Sequence, residues 1–128
     1  MKVKNKTNYD TRFLQSLFIK CDKHEGANPK YREVCVYKSK RNRVHGRAWI
    51  RSRYIDMYLP DDADIKSVVR VYIHELGHNL GLRHKDMVDI SLIDTAWITD
   101  IAIPLKKQKL IKPKSNIIEV NNQSTKET

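Results

Sequence analysis

Apolar residues along this chain follow two rhythms, and those rhythms predict its elements. Phe13, Leu14, Leu17 and Phe18 are spaced as one face of a helix, with Asn8 or Asp10 able to cap it and an end near Lys20. Gly26, Asn28 and Pro29 mark a loop. Tyr31 to Lys38 then alternates, with Val34 and Val36 supplying strand propensity. Lys40 to Arg43 is charged and free of apolar residues, which predicts a turn. Val44 to Ile50 and Arg53 to Leu59 are the next strand candidates. In the second, Ile55, Met57 and Leu59 alternate with Tyr54, Asp56 and Tyr58, so one face is apolar. Pro60-Asp61-Asp62 stops that strand and leads into a helix whose first turn is rich in aspartate. Ile65, Val68, Val69, Tyr72, Ile73, Leu76 and Leu80 form its expected buried stripe. Ile90, Ile93, Trp97 and Ile101 return to helical spacing and predict a C-terminal helix ended by Pro104. The predicted class is α+β: a small mixed sheet with an N-terminal, a central and a C-terminal helix.

A length of 128 residues allows one domain with one core. Residues 1–8 are expected as a flexible polar arm, 9–104 as the single domain, and 105–128 as a basic polar tail. Within the tail, Asn116 to Val120 is a candidate short strand, and the last eight residues have a disordered composition. No apolar run has the length of a membrane span or the form of a signal-peptide core, so an intracellular monomer without membrane contact is expected. Cys21 and Cys35 lack metal-site spacing and are expected as reduced thiols.

Charge adds a possible partner without specifying one. The net charge is +10, from 25 Lys and Arg against 15 Asp and Glu. Lys38, Lys40, Arg41, Arg43, Arg47, Arg51 and Arg53 concentrate part of the excess, and Lys106, Lys107, Lys109, Lys112 and Lys114 form a second group. Such clusters attract polyanions, including nucleic acid. The plainer alternative is a solvated hairpin and tail.

The chemistry lies in His74-Glu75-Leu76-Gly77-His78-Asn79-Leu80-Gly81-Leu82-Arg83-His84. Positions i and i+4 share a helix face, so His74 and His78 can reach one ion. His84 lies too far along the axis to join them from the same helix. Gly81 tolerates the left-handed conformation that ends a helix, and so lets the chain turn and bring His84 back. Three imidazoles with an open position describe a catalytic Zn²⁺ site better than a closed structural one. Glu75 is placed to act as general base toward water, and peptide-bond hydrolysis is the implied reaction. The plainer alternative is a polar helix carrying three unrelated histidines.

The spacing His-Glu-x-x-His-x-x-Gly-x-x-His resembles the active-site helix of metzincin zinc metallopeptidases, such as matrixins and archaemetzincins, over residues 74–84. The resemblance implies a minimal zincin-like fold and one catalytic zinc ion. It implies as well an open strand edge, in the Val44–Leu59 region, that pairs with a peptide or protein substrate. Gly46-Arg47-Ala48 is similar to the small-residue pattern of that edge. The family places a methionine in a turn below the metal; Met87, only three residues past His84, is the candidate for a shortened Met-turn, with ordinary core packing as the alternative. Archaemetzincin cysteines are replaced here by Lys85 and Asp86.

Asp86 and Asp89 are candidates to orient the ligand imidazoles. His24 is expected at the surface and His45 near the basic cluster, neither as a ligand. Two further functions compete with a free-standing peptidase. One is a DNA-associated zinc protease recruited through the basic cluster, and the other is a catalytically silent zinc-binding structural protein.

Overall fold

A computed structural model describes residues 1–107, together with a small antiparallel pairing of Asn122–Gln123 with Thr125–Lys126. The candidate strand at Asn116 to Val120 and the lysines at 109, 112 and 114 lie outside the described residues. The class is α+β, with a four-stranded mixed sheet and helices on one side. In chain order the elements are β1 (Lys2–Asn5), α1 (Thr11–His24), β2 (Glu33–Lys38), β3 (His45–Ala48), β4 (Tyr54–Leu59) and α2 (Ile65–Asn79). Short 3-10 turns follow at His84–Asp86 and Ile90–Leu92.

The sheet order is β1-β2-β4-β3. β1, β2 and β4 run parallel, and β3 is the antiparallel edge strand beside β4. Alternation decides which face meets the helices. Val34, Val36, Ile55 and Met57 are fully buried beneath them, while Glu33, Cys35, Tyr37, Asp56 and Tyr58 occupy the opposite face. Leu14, Leu17 and Phe18 of α1 and Val68, Val69, Tyr72 and Leu76 of α2 complete the core. Phe18 and Tyr72 stack with ring centroids 4.5 Å apart. Both helices begin on an aspartate: Asp10 accepts from the Phe13 N–H at 2.8 Å and Asp64 from the Ser67 N–H at 3.0 Å.

Three expectations are corrected. The expected arm at residues 1–8 contains strand β1, tied to its neighbour by Lys2 N–H to Arg32 O at 2.9 Å and Lys6 N–H to Val36 O at 2.7 Å. Its one inward residue, Val3, is too little apolar pattern to announce a strand; pairing with β2 makes it one. The expected C-terminal helix over 88–103 is irregular chain with the single 3-10 turn at Ile90–Leu92. There Asp89 and Asp94 accept hydrogen bonds from the backbone N–H groups of Ser91 and Ala96, a local competition that opposes helix formation. Ile98 and Ile103 still reach the core from this irregular segment. Finally, Leu80 is 50% exposed, because α2 has already reached its C-cap there.

Cys21 and Cys35 are unpaired and lie in different layers, one in the α1 core and one on the open sheet face. Burial, with Asp22 and Glu25 nearby, pushes the Cys21 thiol up to about 12, so it behaves as a packed apolar group. No helix among the described residues is long and apolar enough to cross a membrane.

Candidate metal centre

His74, Glu75 and His78 sit in the last turns of α2, and local rules account for how that helix ends. Gly81 has φ +101°, the left-handed region glycine favours. Its N–H donates to His78 O at 2.9 Å, and the Leu82 N–H reaches back to Gly77 O at 2.9 Å. This pair of bonds is the Schellman closure, which satisfies the last carbonyls and reverses the chain. His84 therefore returns toward the face it would otherwise have passed.

The three imidazoles converge. Ring centroids are 4.9 Å apart for His74 and His78, 5.4 Å for His74 and His84, and 4.8 Å for His78 and His84. One potential ligand atom from each lies within 4.8 Å of the others, close enough to bind a single metal ion. The donors fit such an ion chemically. His78 Nδ1 faces the Leu82 carbonyl at 2.9 Å; a carbonyl only accepts, so Nδ1 carries the proton and Nε2 keeps its lone pair. His74 Nδ1 is buried with no hydrogen-bond partner among the described residues, so that ring's polar capacity is unused there. Burial first, then the neighbouring His78 and His84, lowers the His74 pKa and keeps the ring neutral, as a metal ligand must be.

Glu75 lies on the side of α2 facing β3. It is buried, and no described group hydrogen-bonds its carboxylate. Desolvation alone pushes its pKa up to about 7. The contact that admits it is Gly46 in β3. A Cβ built there would lie 2.9 Å from Glu75 Cγ, 3.1 Å from Asp56 O and 3.2 Å from a Val71 methyl. A glycine lets the edge strand pass this near the Glu75 side chain without displacing it. Sequence reasoning marked Gly46 as small but had no means to pair it with Glu75.

Met87 packs against the helix from the other side. Its methyl would lie 2.6 Å from a Cβ at Gly77, so Gly77 is the gap that receives it. A cavity of about 350 Å³, bordered by His74, Leu76, Gly77, Met87, Leu92 and Ile93, opens beside this contact.

The two aspartates expected to orient the imidazoles have other partners. Asp86 accepts from the Arg83 N–H and Asp89 from Ser91, so the imidazole-orienting acceptor is the Leu82 carbonyl instead. His24 stacks on Trp97 at 4.0 Å, and His45 stacks on Tyr58 at 4.6 Å on the open sheet face.

The basic residues are spread over several segments. Lys40, Arg41 and Arg43 occupy the β2–β3 connection, Arg47 lies in β3, and Arg51 and Arg53 lie in the β3–β4 turn. Lys38 pairs with Asp61 and Arg47 with Asp56.

Behind the centre lies a polar group with no sequence signature. Arg32 donates to Asp22 at 2.7 Å and to Asn79 Oδ1 at 2.9 Å, and Tyr72 donates to the other Asp22 oxygen. All four residues are buried. Asn79 Nδ2 in turn donates to Trp49 O at 3.0 Å and Tyr54 O at 3.1 Å.

Compared with family models, curated proteins and solved structures, the chain matches none of them.

Proposed function

We propose that the chain is a zinc-dependent endopeptidase of metzincin-like type. One observation carries this reading: a buried carboxylate that no described group hydrogen-bonds follows His74 directly on the helix that carries two of three converging imidazoles, and packs against the edge strand at Gly46. A centre built only for stability has no use for that carboxylate, which supports a reactive site over a silent one. Three neutral nitrogen donors suit zinc, and His74, His78 and His84 would hold it.

Bound zinc would supply Lewis acidity toward a scissile carbonyl and lower the pKa of a water. The chain's own residues would do the rest. An extended substrate would add to the free edge of β3 through main-chain hydrogen bonds, and Gly46 would let its backbone approach Glu75 closely. Glu75 would take a proton from the attacking water and deliver it to the leaving amine. The water oxygen bonds to the acyl carbon as the C–N bond breaks, giving a carboxylate and an amine. The His78–Leu82 hydrogen bond would keep Nε2 available as a ligand throughout.

The test combines metal analysis with proteolysis of unfolded casein, with and without a chelator. Near-stoichiometric zinc and chelator-sensitive cleavage are expected. Glu75→Gln should keep the zinc and lower turnover by about 10²- to 10⁴-fold, the usual range for losing a general base. Undiminished cleavage by that variant would remove Glu75 from the mechanism.

A further inference from the structure

The turn that joins β3 to β4 is held more firmly than its surface position requires. Ser52 N–H donates to Trp49 O at 3.2 Å, closing a four-residue turn whose third residue is Arg51. Arg51 has φ +58°, and it is the one non-glycine with positive φ among the described residues. Turns with this backbone normally take glycine there, because a Cβ is strained. The turn is pinned from beneath. Arg51 N–H donates to the carbonyl of His78, a candidate metal ligand, at 3.0 Å. Asn79 fastens both ends through Trp49 O and Tyr54 O, and is itself held by the buried Arg32–Asp22 pair.

This rigidity serves no packing of the turn itself. Trp49 is 47% exposed, Ile50 is 40% exposed, and Arg51 is also exposed. The Arg51 guanidinium lies over Gly81, its central carbon 3.2 Å from where a Cβ would stand. Arg47 lies over the Trp49 ring and Arg53 over the Tyr54 ring. Among the described residues, no carboxylate pairs with Arg51 or Arg53. A strained residue, a buried network and exposed side chains therefore converge beside the metal ligands, the usual setting for a pre-organised recognition element.

We propose that the Trp49–Arg53 turn is a specificity site that binds an acidic side chain of an extended peptide, N-terminal to the scissile bond. The proposal rests on the peptidase reading. Its direction follows from the sheet: antiparallel addition to the free edge of β3 is the favoured pairing, so the peptide's N-terminal part runs toward Ala48 and the turn. Glu75 faces Gly46, which puts the reacting bond at that level. Trp49 lies three positions further on, about 10 Å at a strand's rise per residue. The acidic side chain therefore belongs about three residues before the cleaved bond. Arg51 supplies the planar fork that grips a carboxylate, and Trp49 with Ile50 supplies apolar contact beside it.

An acidic peptide fits this surface better than nucleic acid. Part of the aromatic surface that bases would stack on is already occupied: Trp49 carries Arg47 on its ring, Tyr54 carries Arg53, and Tyr58 is stacked by both His45 and Tyr37. Among the described residues, Asp56 and Asp61 interrupt the positive charge along this surface.

The experiment uses the full chain in two forms. The zinc-loaded wild type is given a fluorogenic peptide library, and the Glu75→Gln variant is titrated with labelled decapeptides carrying either three Glu or three Gln. Expected results are about tenfold higher kcat/KM for Glu or Asp three residues before the cleavage point, carried by KM, and about tenfold tighter binding of the Glu decapeptide to Glu75→Gln. Arg51→Glu should reverse both preferences. Arg51→Gly should abolish them without lowering the melting temperature, because glycine relieves the strained φ; a merely structural arginine would not separate the two readouts. Equal binding of the two decapeptides overturns the proposal. So does tighter binding of an oligothymidylate of matched charge, or a preference that survives Arg51→Gly. If Glu75→Gln shows the preference while the wild type cleaves nothing, the recognition site stands and the peptidase reading falls.

Discussion

Helix α2 carries two polar clusters, and they differ in one physical respect. On its inner side, Tyr72 and Asn79 join Asp22 and Arg32 in a buried network in which each side chain finds a partner. Beside it, His74, His78 and Glu75 leave capacity unused: His74 Nδ1 has no partner, and the Glu75 carboxylate accepts no hydrogen bond from any described group. A satisfied buried network holds a fold together, whereas an unsatisfied one is unfavourable unless something else binds there. Complete pairing marks the first cluster as structural. Missing pairing distinguishes the second, whose three imidazoles lie close enough to bind a metal ion.

The sharpest way to break this contrast is to delete one member of each cluster in the metal-free protein. Arg32→Ala leaves Asp22 buried without its counter-charge and should lower stability by about 3–5 kcal/mol. His74→Ala removes an already unpartnered nitrogen and should change stability by less than about 1 kcal/mol. Urea denaturation of both variants decides it, and similar losses would erase the distinction.

Metal should reverse the ranking of the second cluster. Zinc at a hundredfold excess over its dissociation constant should stabilise the wild type by about 2.7 kcal/mol. His84→Ala should lose most of that gain while retaining the metal-free stability, since His84 is exposed and contributes little packing. Thermal melts with and without zinc provide the measurement. An unchanged zinc response in His84→Ala would leave the third ligand without a role.

The smallest effect is the pH dependence due to Glu75. Desolvation raises its pKa from 4.5 to about 7 in the metal-free fold. Between those values the folded protein keeps a proton that the unfolded chain has released. The contribution to stability is therefore greatest below about pH 4.5 and is lost as the pH rises to about 7. The change should be of the order of 2 kcal/mol, given about 1.36 kcal/mol per unit and some access of water. Glu75→Gln should flatten this slope in denaturation curves measured from pH 4.5 to 7. A slope identical to the wild type would assign the pH dependence to other groups.

The same contrast explains what was legible before the fold was known. The histidines declare themselves by spacing, because a helix repeat and a glycine turn are local geometry. Asp22, Arg32 and Asn79 are 10 and 47 positions apart along their hydrogen bonds, and no periodicity links them. β1 was hidden for a related reason, since its strand conformation depends on pairing with β2. The C-terminal segment failed in the opposite sense: apolar spacing suggested a helix, but Asp89 and Asp94 bond the nearby backbone instead.

From sequence alone came the α+β class, the two helices, and the set His74, Glu75, His78 and His84 with Gly81 as the turning point. Each of these follows from interactions within a few residues. Tertiary structure alone decided that Gly46 would admit Glu75, that β3 would lie antiparallel at the sheet edge beside β4, and that Arg51 would be held in a strained turn above Gly81. Those depend on which distant segments share a surface, and packing settles that only when the whole chain is folded.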